Sequence, residues 1–532
     1  LTIAARIRPS KRVSNGGIEY NFSDENFTPT TITERLNEGE QDRFSQTYIV
    51  IYSIVFPKKN QKDGSTTRRD NSTDQGGRRK SWRGNGDGRA SGGRGTMGDK
   101  QELVIDLQYA NNGSAEREDF AQQGYDPTWA ALNDAQELQN TLRYRGMHQG
   151  TAMIDYTHPL PKEMKLEAGY KGNIRWMRND FRSESFDFNQ QAYVNDVGLT
   201  NAFEFTEQVH AGYVTFAQKI KKFQYKLGFR AEYTAAESRL VTPENTVFTN
   251  NYPSFFPTVN ISYELKNSQQ IQLNFSRRIS RPSTWQLNPF PGFNDPLNLW
   301  IGNPFLLKQL SNTVELNYAK YWKKGHTVVL TGFYKYNTDL IERVRTVGLD
   351  GVSTATYYNL NTSQQWGLEM VTRFVASRQV NFGASGSIYQ NIQDGSNVND
   401  NFTVNTITGN LSLYANFQFK FGMRIAAYAW ISMPQYVAQG WRAASTWNTV
   451  SVSQKVLKDK GRITLSVQNP VLGGIWRYET QANGFNQSGF YERENPVFEA
   501  RFSYRFGKVN VRDGRSKNAK RLNNGGSDRG SA

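Results

Sequence analysis

Apolar and polar residues alternate along most of this chain. Met164, Leu166, Ala168, Tyr170, Ile174 and Trp176 are interleaved with Lys165, Glu167, Lys171, Asn173 and Arg175, a period of two held for thirteen residues. Successive side chains of an extended strand point to opposite faces, so this segment has one apolar and one charged face, which a helical repeat of about 3.6 residues would not give. Phe223, Tyr225, Leu227, Phe229, Ala231 and Tyr233 stand in the same way against Gln224, Lys226, Arg230 and Glu232. The alternation recurs in 103–109, 259–265, 271–275, 366–374, 380–388, 411–419, 463–467 and 498–506. It predicts eighteen strands, near residues 1–8, 45–57, 101–112, 148–158, 164–178, 207–220, 223–236, 255–266, 269–281, 311–323, 326–338, 364–376, 379–392, 406–420, 422–433, 444–457, 461–469 and 495–507.

Strands of a soluble sandwich average about five or six residues. Many of these are ten or more residues long, with aromatics near their ends and a polar second face, the pattern of a tilted strand with lipid on one side and water or a plug on the other. Lipid cannot satisfy open strand edges, so the sheet must close. The expected fold is all-β, a transmembrane antiparallel up-and-down β-barrel. Connections after even-numbered strands are short: 159–163, 221–222, 267–268, 324–325 and 458–460. Most after odd-numbered strands are long, such as 113–147 and 282–310. Short turns on one rim and long loops on the other mark the periplasmic and extracellular ends. The expected organisation is a barrel over 1–507, with a basic disordered insertion at 57–100 on a periplasmic turn and a basic disordered periplasmic tail at 508–532.

Composition sharpens this picture. Aromatics make up 13% of the 532 residues, while the longest apolar stretch, 48–56, is nine residues and includes Ser53, so no spanning helix is possible. Without cysteine there is no disulfide framework, thiolate metal site or cysteine nucleophile. The net charge of +16 is concentrated in two tracts, +7 over 57–100 and +5 over 508–532, so the body has no general nucleic-acid footprint. Arg78, Arg79, Lys80, Trp82 and Arg83 look like an Arg-Gly nucleic-acid tract, but a periplasmic position favours a solvated linker or weak attraction to an anionic periplasmic polymer.

Two stretches carry a family resemblance. The last strand, Val497 to Gly507, is apolar at every second position, as the barrel-insertion machinery requires of a C-terminal strand. Arg278, Ile279, Ser280, Arg281 and Pro282 are followed by Asn288-Pro289-Phe290, Asp295-Pro296 and Gly302-Asn303-Pro304. With Tyr252-Pro253 and Phe256-Pro257 before a descending strand and Asp155 to Pro159 at a turn, this set resembles the outer-membrane β-barrel family related to TonB-dependent receptors, over roughly 101–507. The resemblance implies energy-coupled uptake of a bulky nutrient, an N-terminal plug in the lumen, a short segment that engages TonB, and outer-membrane lipid around the barrel. Eighteen strands fit an open pore and about twenty-two a plugged transporter. The start at Leu1, without Met and directly in a strand, leads us to expect four strands and a plug ahead of it. A passive porin and a scaffold barrel of an envelope assembly, which could dock a surface lipoprotein, are the alternatives.

Candidate chemistry is otherwise sparse. Trp285, Phe290, Phe293 and Trp300 share one long loop, suited to stacking on a sugar or apolar ligand or to anchoring at the membrane interface. The Pro and Gly residues there suit a loop fixed by turn chemistry. The four histidines, His148, His158, His210 and His326, include no metal-binding pair at helical spacing. The run 394–401 is rich in oxygen ligands but lacks the glycine and distal Glu of a calcium loop. Gly84, Gly86 and Gly88 lack the flanking strand and helix of a dinucleotide site. No catalytic grouping, metal or cofactor is expected, and the protein is read as a non-enzyme.

Overall fold

The computed structural model describes residues 1–23, 29–56, 100–133, 135–291, 298–348, 352–399, 402–471, 473–482, 485–492 and 495–506. The expectations for the basic tracts 57–99 and 507–532 lie outside the described residues. In chain order the elements are β1 (Thr2–Ser23), β2 (Pro29–Phe56), β3 (Gln101–Tyr125), β4 (Glu137–Leu160), β5 (Met164–Asp187), β6 (Ala192–Asn195), β7 (Asn201–Ile220), β8 (Phe223–Thr242), β9 (Thr246–Glu264), β10 (Gln269–Ser280), α1 (Thr284–Leu287), β11 (Asn298–Ile301) and β12 (Gln309–Tyr321). They continue with β13 (Thr327–Val347), β14 (Ser353–Val375), β15 (Val380–Asp394), β16 (Thr403–Gln418), β17 (Met423–Ser432), β18 (Gln435–Val437), β19 (Gly440–Arg442), β20 (Ser445–Val456), β21 (Gly461–Gln468), β22 (Ile475–Ala482), β23 (Phe485–Glu492) and β24 (Val497–Tyr504).

Twenty strands form one sheet, and β18, β19, β22 and β23 form a second, small one on the long-loop rim. Apart from the short β6 and β11, the large sheet is an antiparallel meander in which every long strand pairs with the next, from β1–β2 to β21–β24. The remaining eighteen strands match the expected ones in place and order. Among the described residues, β1 and β24 are not paired with each other.

The large apolar side chains face outward. Leu368 is 65% exposed, and Ile174, Leu227, Phe229, Ile271, Leu273 and Leu330 are exposed on the same surface. This inside-out distribution is what lipid selects. Near the short turns, His326 lies against Trp322 and Phe374, and Phe374 stacks on Phe382 at 5.6 Å. Trp366 lies eight residues from Phe374 on β14, about 26 Å along the strand, or about 20 Å of membrane normal at a tilt near 40°. Such spacing suits two aromatic girdles. Met370, exposed on the same face, lies midway between them, so Met370→Arg is expected to destabilise the barrel by about 2–4 kcal/mol. Gln365→Arg, on the lumen face, is expected to cost much less, and urea unfolding of both variants in lipid vesicles checks the contrast.

The short turns stand where the chain pattern puts them. Lys221 and Lys222 alone join β7 to β8, and Asn267 and Ser268, at φ 59° and 56°, take the left-handed conformations of a tight hairpin. Three expectations are corrected. The 113–147 connection is mostly strand, because β3 runs to Tyr125 and β4 starts at Glu137, in full register with β2 and β5. Tyr252 to Pro257 lies inside β9, and Asp155 to Pro159 inside β4, whose turn follows Leu160. Beyond the membrane both faces of a strand can be wet, so pairing continues where alternation ends.

The prolines of β9 have a structural consequence. β9 pairs with β8 past Pro257 and Pro253, whereas its ladder with β10 stops at Thr258. Proline has no N–H to donate, so the missing donors face β10. β10 ends at Ser280 and β12 starts at Gln309, while β9 and β13 continue upward. The wall therefore has a notch, and the chain between β10 and β12 fills it.

Candidate functional site

Residues 281–308 enter the notch through Arg281. Its guanidinium donates to Glu232 Oε2 at 2.5 Å and to Thr234 Oγ1 at 3.0 Å, and Arg230 Nε donates to Glu232 Oε1 at 2.6 Å. These residues lie on the inner face of β8, opposite in parity to the lipid-facing Phe229 and Tyr233. Glu232 is buried, so two cations share one carboxylate away from bulk water. Pro282 is buried beside this pair.

The single turn α1 follows. Gln286 Oε1 accepts from Ser283 N–H and from Ser283 Oγ, both at 2.8 Å, which fixes the start of the turn. Asn288 ends it, donating its N–H to Thr284 O at 3.1 Å and accepting the Phe290 N–H on Oδ1 at 3.2 Å. Gly302 returns against this end: its N–H donates to Asn288 O at 2.8 Å, and that of Asn303 to Gln286 O at 2.6 Å. A Cβ at position 302 would lie 2.4 Å from Asn288 O and 2.7 Å from Gln286 O. Asn303 donates from Nδ2 to Tyr357 O at 3.0 Å and accepts the Phe305 N–H on Oδ1 at 3.0 Å. Pro289, Phe290 and Pro304 are half-buried along this path. Phe293, Asp295 and Pro296 lie outside the described residues.

The loop carries its own core into the lumen. Leu287 and fully buried Leu306 pack with Phe203 and Phe205 of β7, bordered by Met177, Ala236, Ile341 and Tyr357. These wall residues share the inner faces of β5, β7, β8, β13 and β14, so the two leucines join walls that are not adjacent in the sheet. β11 adds a parallel strand to the upper edge of β14, Asn298 opposite Ser353. Arg345 Nη1 donates to Asn298 Oδ1 at 2.8 Å, and buried Gln439 holds the Arg345 backbone through bonds of 2.6 and 2.8 Å.

Above this core is an aromatic surface. Trp285 meets Tyr357 edge-on at 5.1 Å and Trp300 at 6.4 Å, and the Arg343 guanidinium lies over the Trp300 ring at 4.6 Å. Both tryptophans are exposed. Rings with a guanidinium plane over one of them can stack on flat or sugar-like solutes. Of the four aromatics singled out in this loop, the structure brings Trp285 and Trp300 together, beside Tyr357 and Arg343, which the sequence did not single out. The signal in Phe203 and Phe205 is an apolar inner face where polar residues are the rule. At the rim, Asp394 accepts from Ser396 N–H and Oγ at 3.0 and 2.7 Å, bonds that lower its carboxyl below the usual range. No group of potential metal ligands occurs among the described residues.

The model of the outer membrane protein β-barrel family matches residues 96–504. The chain belongs to this family. Membership places the protein in the bacterial outer membrane as a β-barrel. Among solved structures, the chain is similar to the unliganded ferric citrate transporter FecA, at 9% identity over 93% of this chain and 69% of that one, with a TM-score of 0.50. It is also similar to the ferripyoverdine receptor of Pseudomonas aeruginosa, at 11% identity over 94% and 70% of the two chains and a TM-score of 0.49. A third, the siderophore receptor PiuA of Acinetobacter baumannii, gives 12%, 92%, 77% and 0.48. At these identities the likeness concerns the fold alone. No curated protein sequence matches the chain.

Proposed function

We propose that this outer-membrane barrel takes up a bulky solute by an energy-coupled route, binding it first on the aromatic surface of loop 281–308. The observation that carries this reading is the loop itself: an extracellular connection folded inward on a buried core, with Trp285, Trp300 and Arg343 presented above it. Exposed rings held in place at the mouth suit a receptor that captures its solute before admitting it. No bond of the solute has to change. The edges of β1 and β24 need partners in lipid, and we assign that role to further strands, giving a wall of about twenty-two with a plug inside. TonB would supply the coupling through that plug.

Conductance across a planar bilayer tests this. The full-length protein is expected to show no steady open channel, because a plug and loop 281–308 obstruct the lumen. Stable ohmic conductance of porin size would overturn the proposal in favour of the passive pore.

A further inference from the structure

Arg278 and Arg281 belong to one sequence motif, yet they are placed differently. Arg281 is paired with Glu232. Arg278 projects from the inner face of β10, exposed to the lumen, and forms no ion pair or side-chain hydrogen bond among the described residues. A second cation lies close by. Ser276 pairs in register with Thr313, and Thr313 with Lys335, so Lys335 occupies the same inner face two strands over, one diagonal step from Arg278. Lys335 is half-buried and has no ion pair among the described residues. The charge that acts on it is another cation, that of Arg278. Glu315, the acid on the same face of β12, makes no ion pair with it among the described residues.

Around the two cations the inner face is rich in hydrogen-bonding groups and carries one carboxylate, that of Glu315, on the strand next to Lys335 and two residues along from its partner Thr313. Ser276, Ser311, Thr313 and Asn337 share the inner face, and Ser311 Oγ donates to Asn337 Oδ1. Two like charges on one inner wall repel each other. Low-dielectric walls focus their field, so an anion entering between them is drawn in strongly. A guanidinium offers a planar fork to a carboxylate or phosphate, and an ammonium a compact point charge.

We infer that Arg278 and Lys335, flanked by Ser276, Ser311 and Thr313, form a seat inside the barrel for a carboxylate or phosphate group of the solute that it admits. The solute is therefore an anion, a class that rests on the transport reading above. The aromatic surface at the mouth receives its flat or apolar part, and the cation pair below receives its charge.

Calorimetric titration of the full-length, detergent-solubilised protein tests the seat, with pyrophosphate and benzene-1,3,5-tricarboxylate as probes at about 50 mM salt, where screening is modest. The unsubstituted protein is expected to bind at least one probe saturably. The double variant Arg278→Gln/Lys335→Gln should lose about tenfold or more in affinity, while Arg239→Gln, on the outer surface, should leave it unchanged. Circular dichroism confirms that the double variant keeps its strand content. Should that variant not fold, the single substitutions Arg278→Gln and Lys335→Gln carry the same comparison. Absence of saturable binding to the unsubstituted protein, or equal affinity in the substituted one, overturns the inference. The titration needs no energy source: anion binding without uptake by cells would sink the transport reading and leave the seat standing.

Discussion

Glu232→Gln is expected to lower the stability of the folded barrel by about 3–5 kcal/mol, the usual cost of removing one partner of a buried ion pair. The substitution keeps the size of the side chain and deletes only its charge. Two guanidiniums, those of Arg230 and Arg281, then face each other across a buried amide. The penalty is that of stranded cations rather than of a lost contact. Adding Arg281→Met should therefore recover part of the loss, although Arg230 remains. Urea unfolding of the three proteins in lipid vesicles measures it. A change below about 1 kcal/mol, the range of exposed surface pairs, would show that Arg281 does not anchor the loop.

Gly302→Val is expected to release loop 281–308 while leaving the barrel folded. The side chain would have to occupy space held by backbone, with Asn288 O at 2.4 Å and Asn288 N and Gln286 O at 2.7 Å from the first added carbon. Backbone in a pinned turn cannot step aside as the end of a flexible side chain can, so the cost is about 3 kcal/mol or more, the upper end for overpacking. It falls first on local opening of the loop, since every long strand is also paired with its neighbours in the meander. Hydrogen exchange at the Gly302 and Asn303 amides should accelerate by about a hundredfold, 1.4 kcal/mol being a factor of ten. Gly146 is the control, because a Cβ there meets nothing within 4 Å and Gly146→Ala should leave exchange in the loop unchanged.

The membrane-crossing part of the fold was legible because lipid and lumen impose opposite chemistry on alternate residues. That is why 164–178 and 223–236 could be read as strands directly. Gly113 to Tyr125 was not legible: in water a strand needs no apolar face, and what keeps it extended is pairing with β2 and β4, whose register no local pattern encodes. The loop shows the same division. Asn288, Gly302 and Asn303 stood out as turn chemistry, and they are the residues that close the loop upon itself. Their remote partners did not: Tyr357 reaches the site from β14, Arg343 from β13 and Glu232 from β8, through contacts that only the folded sheet creates. Arg278 and Arg281 looked equivalent in sequence, and only the placement of Glu232 separates an anchor from a free cation.

The central claim is energy-coupled uptake through this barrel. It is tested most directly by following which solutes disappear from the medium of cells carrying the protein, of cells lacking it, and of cells carrying it without TonB. Uptake coupled through TonB predicts at least one solute that is depleted only by the first of these. Equal depletion with and without TonB would contradict the claim and leave a passive pore.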